Sequence, residues 1–293
     1  MIKIQPVRGT HDLFGDDLIK YKFIEKTISI LAHYYDFDEI ITPIFEHSKL
    51  FEKHLGTNSD VVLKEMYSFE DRNKKRLTLR PEYTTPMIRA AISNNLLNNL
   101  PVKLFSTGPM FRRERPQKGR YRQFSQINFE IFGTNDTHSD CELILLANDF
   151  LKKLKLNKYI KLHLNSLGDP NTLQKYKKLL KDYFQKYHND LSEESKSKIK
   201  LNPLRILDSK DKNDIEISNS APKINTLYTK EAIKNFDSIQ QTLIDSGIVF
   251  QKDYNLVRGL DYYCHTVFEF KTDKLGSQNT IIGGGRYDGL IRS

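Results

Sequence analysis

Apolar and polar positions repeat along this chain with two different periods. Apolar residues recur at helical spacing at Ile19, Phe23, Ile24, Ile28 and Leu31, which predicts an amphipathic helix from about Leu18 to His33, opened by Asp16 or Asp17 as N-cap. A second helical pattern runs through Leu143, Leu146, Ala147, Phe150, Leu151 and Leu154, behind a capping box of Ser139 and Glu142. A period of two marks Tyr121 to Phe132, where Gln126, Asn128 and Glu130 share one face and Ile127, Phe129 and Ile131 the other. With Lys103 to Glu114 and the polar connection RPQKGR, that run predicts a long antiparallel hairpin.

Other stretches fill in the order of elements. A strand is expected to enter EIITPIFEHSKLF, and LTLRPEYTTPMIRAAI reads as a strand ending near Pro81, then a helix with Thr85 as N-cap and Pro86 in its first position. Glu82 and Thr84 fall in the joint. From about Gly168 the character changes to lysine-rich helical patterns, so residues 168–247 read as a helical insertion between 1–167 and 248–293. Strand-like, aromatic sequence returns at YNLVRGLDYYCHTVFEF and GSQNTIIGGGRYDGL, where three glycines allow close backbone approach.

Composition narrows the classes. The 293 residues, 38% hydrophobic, are enough for a real core, and no stretch approaches the roughly 20 apolar residues of a membrane span. The first residues carry no apolar run of a signal peptide, so the cytoplasm is the expected compartment. A formal charge of +9 favours a polyanionic partner, although part of it reflects general lysine richness. Two cysteines, Cys141 and Cys264, are too few and too distant in sequence for a disulfide framework or a closed zinc site. The eight histidines are dispersed, with no HExxH and no ligand-spaced cluster, so no bound transition metal is expected. No nucleophile signature, dinucleotide fingerprint or Walker pattern occurs either.

Chemistry concentrates in the hairpin. Arg112, Arg113, Arg115, Arg120 and Arg122 cluster at its turn, where guanidinium forks suit phosphate oxygens; a solvated basic loop is the competing reading. Phe124, Gln126, Asn128 and Glu130 follow on one face, either a nucleotide site adjoining a small polar one or an ordinary half-exposed sheet face. Arg258, Asp261, Tyr262 and Tyr263 suit a small cationic or aromatic ligand, or else pack at a strand start.

Taken in order, RGTHDLF, LTLRPEYTTPMIRA, GPMFRRERPQKGRYRQFSQINFEIFG, LVRGLDYYCHTVFEF and GSQNTIIGGGRYDGL closely resemble the histidyl-tRNA synthetase family of class II aminoacyl-tRNA synthetases. The resemblance implies an α+β fold, an antiparallel sheet flanked by helices with a helical insertion. It also implies a homodimer formed around EIITPIFEHSKLF, including Pro43. The implied activity is a histidine–tRNA ligase that activates histidine with ATP, accompanied by Mg2+, and charges histidine tRNA.

The roles carried over are specific. Arg112 grips the α-phosphate, Glu114 lies near the adenine, Arg120 reaches the outer phosphates and Phe124 stacks on the base. Glu82, Thr84 and Gln126 take the α-ammonium of histidine; Glu130 and Tyr263, with Tyr262 and Tyr287 nearby, read the imidazole. Arg258 stands against the reacting carboxylate and α-phosphate. In the family the chain continues past GGGRYDGLI into a third motif and an anticodon-binding domain. Neither falls within these residues, so weak or absent adenylation by this stretch alone is the expectation. The alternatives are a non-catalytic, histidine-binding regulatory subunit of ATP phosphoribosyltransferase and a class II synthetase for glycine, proline or threonine.

Overall fold

The computed structural model describes residues 4–56, 59, 61–117, 119–260, 262–275 and 279–290. It forms two compact units, one of Met1–Ser139 with Leu145–Asn157, the other of Asp140–Ile144 with Lys158–Ser293.

In the first unit, α1 (Gly15–Tyr34) buries Ile28, Leu31 and Ala32. Its start corrects the expectation. Phe14 is the N-cap residue and makes no side-chain cap bond, while Asp16 and Asp17 stand in the first turn, where their charge meets the positive end of the helix dipole. Strands β1 (Asp38–Glu39) and β2 (Phe45–His47) and helix α2 (Ser48–Leu55) follow, then β3 (Tyr67–Glu70) and β4 (Arg76–Leu79).

Helix α3 (Thr84–Ser93) also starts earlier than expected, with Tyr83 at the N-cap position and Pro86 as its third residue. Glu82 does the capping. Its Oε2 accepts the Thr84 N–H at 2.8 Å and its Oε1 the Thr85 N–H at 2.9 Å. Pro86 is tolerated because an N–H in the first turn has no partner within the helix.

The hairpin is present as β5 (Val102–Phe111) and β6 (Gln123–Phe132), antiparallel in register from Val102 opposite Phe132 to Phe111 opposite Gln123. β1 adds to it in parallel, giving the order β1-β5-β6; a second sheet runs β2-β4-β3. On the apolar face of β6, Phe129 stacks on Phe105 at 5.5 Å and meets Phe37 edge-on at 5.0 Å. Helix α4 (Thr137–Lys153) is capped by Asp136, which accepts the Ser139 N–H, and not by the Ser139/Glu142 box.

The second unit holds β7 (Lys161–Ser166), helices α5 (Pro170–Lys186), α6 (Glu193–Leu201), α7 (Lys212–Asn219) and α8 (Lys230–Asp245), and strands β8 (Phe250–Lys252), β9 (Cys264–Lys271) and β10 (Thr280–Arg286). The four strands order as β10-β9-β7-β8, antiparallel except for β7 with β8. Helices α5, α6 and α8 lie in the two lysine-rich helical patterns, and α7 forms in the segment between them that reads only as polar. α5 and α6 pack Tyr176, Leu180, Phe184 and Ile199 into a core that also takes in Leu256, Val257 and Val267. The whole is an α+β arrangement of mainly antiparallel sheets with a helical stretch between strands. No helix among the described residues is long and apolar enough to cross a membrane.

Candidate functional site

The base of the hairpin is organised by a residue that sequence reasoning passed over. Arg80, buried between β4 and α3, donates from Nε to Pro109 O at 3.0 Å, from Nη1 to Thr42 O at 2.7 Å and from Nη2 to the Tyr83 hydroxyl at 2.9 Å. Its guanidinium also lies 4.4 Å from the centroid of the Tyr83 ring. Gly108 on β5 makes room for this arrangement: a Cβ there would come within 2.7 Å of the Tyr83 hydroxyl, and its φ of +152° disfavours other residues. Arg80 thus ties the corner bearing Glu82 and Thr84 to the hairpin. Nothing in the local pattern distinguishes it from a surface arginine.

Beyond that corner, Thr84 Oγ1 donates to Glu130 Oε1 at 2.6 Å, and Asn128 Nδ2 donates to the same oxygen at 2.6 Å. Glu82 and Glu130 are both buried. Burial pushes the Glu82 carboxyl up from its ordinary value, against the opposing pull of its Thr85 and Thr84 hydrogen bonds and of the Arg112 charge. Gln126 lies on the same strand face, opposite Gly108, and its buried Oε1 accepts no hydrogen bond. A buried acceptor left open in this way suits a donor from outside the chain. Glu82, Thr84, Asn128 and Glu130 therefore form one connected group, with Gln126 beside it on the strand.

The arginine loop divides in two. Arg113 and Arg115 are exposed, whereas Arg112, Arg120 and Arg122 are partnered. Arg112 Nε donates to Pro81 O at 2.9 Å, and its guanidinium lies 5.3 Å from the Phe124 ring centroid. Glu114 sits between two cations: Arg112 Nη1 is 3.9 Å away and Arg120 Nε 3.1 Å, the latter an ion-pair approach whose angle leaves Glu114 Oε2 without a hydrogen bond. The RGTHDLF segment backs the loop, since Gly9 O accepts the Arg122 N–H at 2.7 Å and His11 packs on Tyr121 at 4.8 Å. Arg112, Glu114, Arg120 and Phe124 are thus brought together at one end of β6.

In the second unit, mostly buried Arg258 donates from Nη1 to Glu269 on β9, and its guanidinium lies 5.7 Å from the Tyr263 ring centroid. Burial opposes its charge, but Tyr263 and Glu269 outweigh that and hold its pKa above the usual arginine value. Glu269 is held in turn by Thr280 Oγ1 at 2.9 Å and Lys271 Nζ at 3.3 Å. Tyr262 touches Tyr263 at 4.6 Å and Tyr287 at 5.6 Å between centroids, so the three tyrosines form one aromatic group. Asp261 lies outside the described residues.

The three consecutive glycines are explained by their neighbours. A Cβ on Gly283 would sit 2.4 Å from Arg258 Nη1, one on Gly284 2.6 Å from the Phe268 ring, and one on Gly285 2.5 Å from Thr266 O. β10 can pass Arg258 only as bare backbone.

Comparison with known proteins agrees along the chain. A family model described as histidyl-tRNA synthetase matches residues 9–293. The histidine–tRNA ligase of Wolbachia pipientis wMel is 53% identical over 289 residues, covering 99% of this chain and 70% of that protein. Among solved structures, apo histidyl-tRNA synthetase of S. aureus superposes with a TM-score of 0.78 at 33% identity, over 100% of this chain and 68% of that one. A Bacillus halodurans protein described as an ATP phosphoribosyltransferase regulatory subunit/histidyl-tRNA synthetase gives 0.73 at 22% identity, over 100% of this chain and 78% of that one, a likeness of fold alone.

Proposed function

The chain belongs to the histidyl-tRNA synthetase family, and from that premise we propose that it acts as a histidine–tRNA ligase: the histidine carboxylate attacks the α-phosphorus of MgATP, pyrophosphate leaves, and the acyl group passes from the adenylate to the terminal ribose of histidine tRNA with release of AMP. The observation that carries this reading is the buried Glu130 carboxylate, fixed by Thr84 and Asn128 on the strand face that also bears Phe124 beside Arg112. A carboxylate held in this way accepts an imidazole N–H directionally and leaves an aliphatic or phenyl competitor without a matching donor.

The residue roles follow from this reading. Arg112 takes the α-phosphate, Arg120 the outer phosphates, Glu114 lies near the adenine and Phe124 stacks on it; guanidinium forks already positioned by Pro81 O and Glu114 lower the ordering cost of gripping a triphosphate. Glu82, Thr84 and Gln126 take the α-ammonium, and the open Gln126 Oε1 suits that donor. Glu130 reads the imidazole, as do Tyr263 and its neighbours Tyr262 and Tyr287. Arg258 neutralises the carboxylate and α-phosphate as the bond forms. No side-chain nucleophile is needed. In domain terms residues 168–247 are the insertion between the catalytic stretches 1–167 and 248–293.

We further propose a homodimer working in the cytoplasm. The exposed apolar side chains of Ile41, Ile44 and Phe45, in EIITPIFEHSKLF, support the pairing surface. Ile41→Asp is expected to give a monomer in sedimentation velocity where the unsubstituted chain sediments as a dimer.

Thermal-shift comparison of histidine, proline, threonine and glycine, each with and without ATP, tests the ligase reading. Only histidine should raise the melting temperature, and ATP should add to it. Stabilisation by histidine with no increment from ATP would favour the regulatory-subunit alternative; stabilisation by another amino acid would overturn the specificity.

A further inference from the structure

Neighbouring residues on a strand ordinarily project to opposite faces. At the start of β9 they do not. The β9–β10 ladder shifts register there: Cys264 pairs with Arg286, but the next β10 residue, Gly285, pairs with Val267. His265 and Thr266 are therefore extra on the β9 side, a bulge of the kind that re-aims side chains. His265 carries a left-handed φ of 48°, a conformation that a non-glycine residue keeps only where its surroundings enforce it. Here they do, because His265 N donates to Gly168 O at 2.8 Å and His265 O accepts from Leu167 N at 2.6 Å.

The consequence is a convergence that the linear sequence does not suggest. Cys264 Sγ, a ring nitrogen of His265 and a carboxylate oxygen of Asp288 all lie within 4.8 Å of one another, the one such metal-competent group among the described residues. Asp288 also donates its backbone N–H to Cys264 Sγ at 3.4 Å, and its Oδ2 lies 3.7 Å from His265 Nε2. We propose that Cys264, His265 and Asp288 form a site for a thiophilic divalent transition ion, zinc first, with solvent as the fourth ligand.

The donor set is selective by its chemistry. Thiolate and imidazole favour zinc or cobalt and offer little to magnesium or calcium, which take oxygen ligands. Zinc bonds of about 2.0–2.3 Å place tetrahedral ligands roughly 3.3–3.7 Å apart, so closure by about 1 Å at the widest pair completes the geometry. Asp288, half exposed, can make that movement and provides the entry route. Its rival partner, Arg286 Nη1, is 3.7 Å away and committed elsewhere: Arg286 donates to Asp140 Oδ1 from Nη2 at 2.8 Å and from Nε at 3.2 Å. Binding releases the Cys264 thiol proton to solvent, leaving a thiolate on the ion, with no change of oxidation state. The site does not depend on the ligase reading, and its failure would leave that reading untouched.

The test is titration of the reduced, chelator-treated chain with Co2+ and Zn2+, followed by thiolate-to-cobalt absorption in the near ultraviolet and by calorimetry. One equivalent should bind with that absorption. Cys264→Ser should abolish the band. His265→Asn, which keeps the left-handed backbone accessible, and Asp288→Asn should each weaken affinity at least about tenfold. Cys141→Ser should leave binding unchanged. Circular dichroism confirms folding of each variant. Absence of the band in the unsubstituted chain, or equal affinity in Cys264→Ser, His265→Asn and Asp288→Asn, would overturn the site.

Discussion

Thr84 Oγ1 and Glu130 Oε1, 2.6 Å apart, join the first turn of α3 to the polar face of β6. The bond fixes the orientation of a buried carboxylate proposed to read imidazole. Thr84→Val keeps the shape and removes the donor, while the Asn128 bond to that oxygen stays. A hydrogen bond to a charged group contributes about 1.5–3 kcal/mol, so the histidine Kd should rise at least roughly tenfold. Isothermal titration should find ATP affinity unchanged, and Thr84→Ser close to the unsubstituted chain. Glu130→Gln should weaken histidine binding further, and Arg112→Ala should do the reverse, weakening ATP. Unchanged affinities throughout would remove Glu130 from the pocket.

Gly283 and Arg258 make a second, purely steric test. A methyl group at Gly283 would lie 2.6 Å from Arg258 Cζ, and the guanidinium cannot swing aside without leaving Glu269. Gly283→Ala should therefore weaken histidine binding by about tenfold or more, approaching Arg258→Ala, because the carboxylate loses its cation. Glu269→Gln should show a smaller loss. Gly289→Ala is the control, since nothing lies within 4 Å of its Cβ position. If Gly283→Ala bound histidine normally, the placement of Arg258 would not matter to the ligand.

How much of this was legible in the residues depended on the range of the interaction. The β5–β6 hairpin was, because alternation from Gln126 to Ile131 and a Pro-Gly connection are local signals, and the ladder runs through those residues in register. The run Gly283 to Gly285 signalled only that something approaches the backbone closely, a ligand or a tight bulged turn; that Arg258, Phe268 and Thr266 are what press on it is visible in the structure alone. Helix starts were less legible. Thr85 and Ser139 fit the local preference for capping residues, yet Glu82 and Asp136 hold the free N–H groups, since a carboxylate just outside the helix competes for the same donors. Arg80 was not legible at all: its partners Thr42, Tyr83 and Pro109 are set by tertiary contacts, and composition counts it with the other arginines. The left-handed turn at His265 was not legible either, because the backbone partners that enforce it, Gly168 and Leu167, are distant in sequence.

Arg80 carries a stability prediction. Lys in its place reaches at most part of the donor set, leaving buried acceptors at Thr42 O or Pro109 O unpaired. Each such loss costs on the order of 1–3 kcal/mol, so Arg80→Lys should destabilise by about 2–4 kcal/mol and lower the melting temperature by roughly 5–10 °C. Scanning calorimetry checks this; a melting point within about 2 °C of the unsubstituted chain would mean that Arg80 is not the tie it looks to be.

The caps provide a prediction with a sign in pH. Asp169 accepts the Thr172 N–H at 2.8 Å at the start of α5, and that hydrogen bond holds its carboxyl below the usual range, despite some opposing burial. A carboxylate with a lowered folded-state pKa contributes stability that is fully present above the unfolded value, about 3.9, and is lost as pH falls through the folded one. Asp169→Ala should therefore cost about 1 kcal/mol at neutral pH. The deficit should shrink steadily as pH drops below about 4, because the parent chain loses the charged cap that the variant never had. Asp169→Asn retains an acceptor but no titrating group, so it should be destabilised mildly near pH 7 and approach the parent in acid. Denaturant melts of the three proteins at a series of pH values decide it: a deficit for Asp169→Ala that stays constant into the acid range would show that the cap acts through shape alone, without the charge.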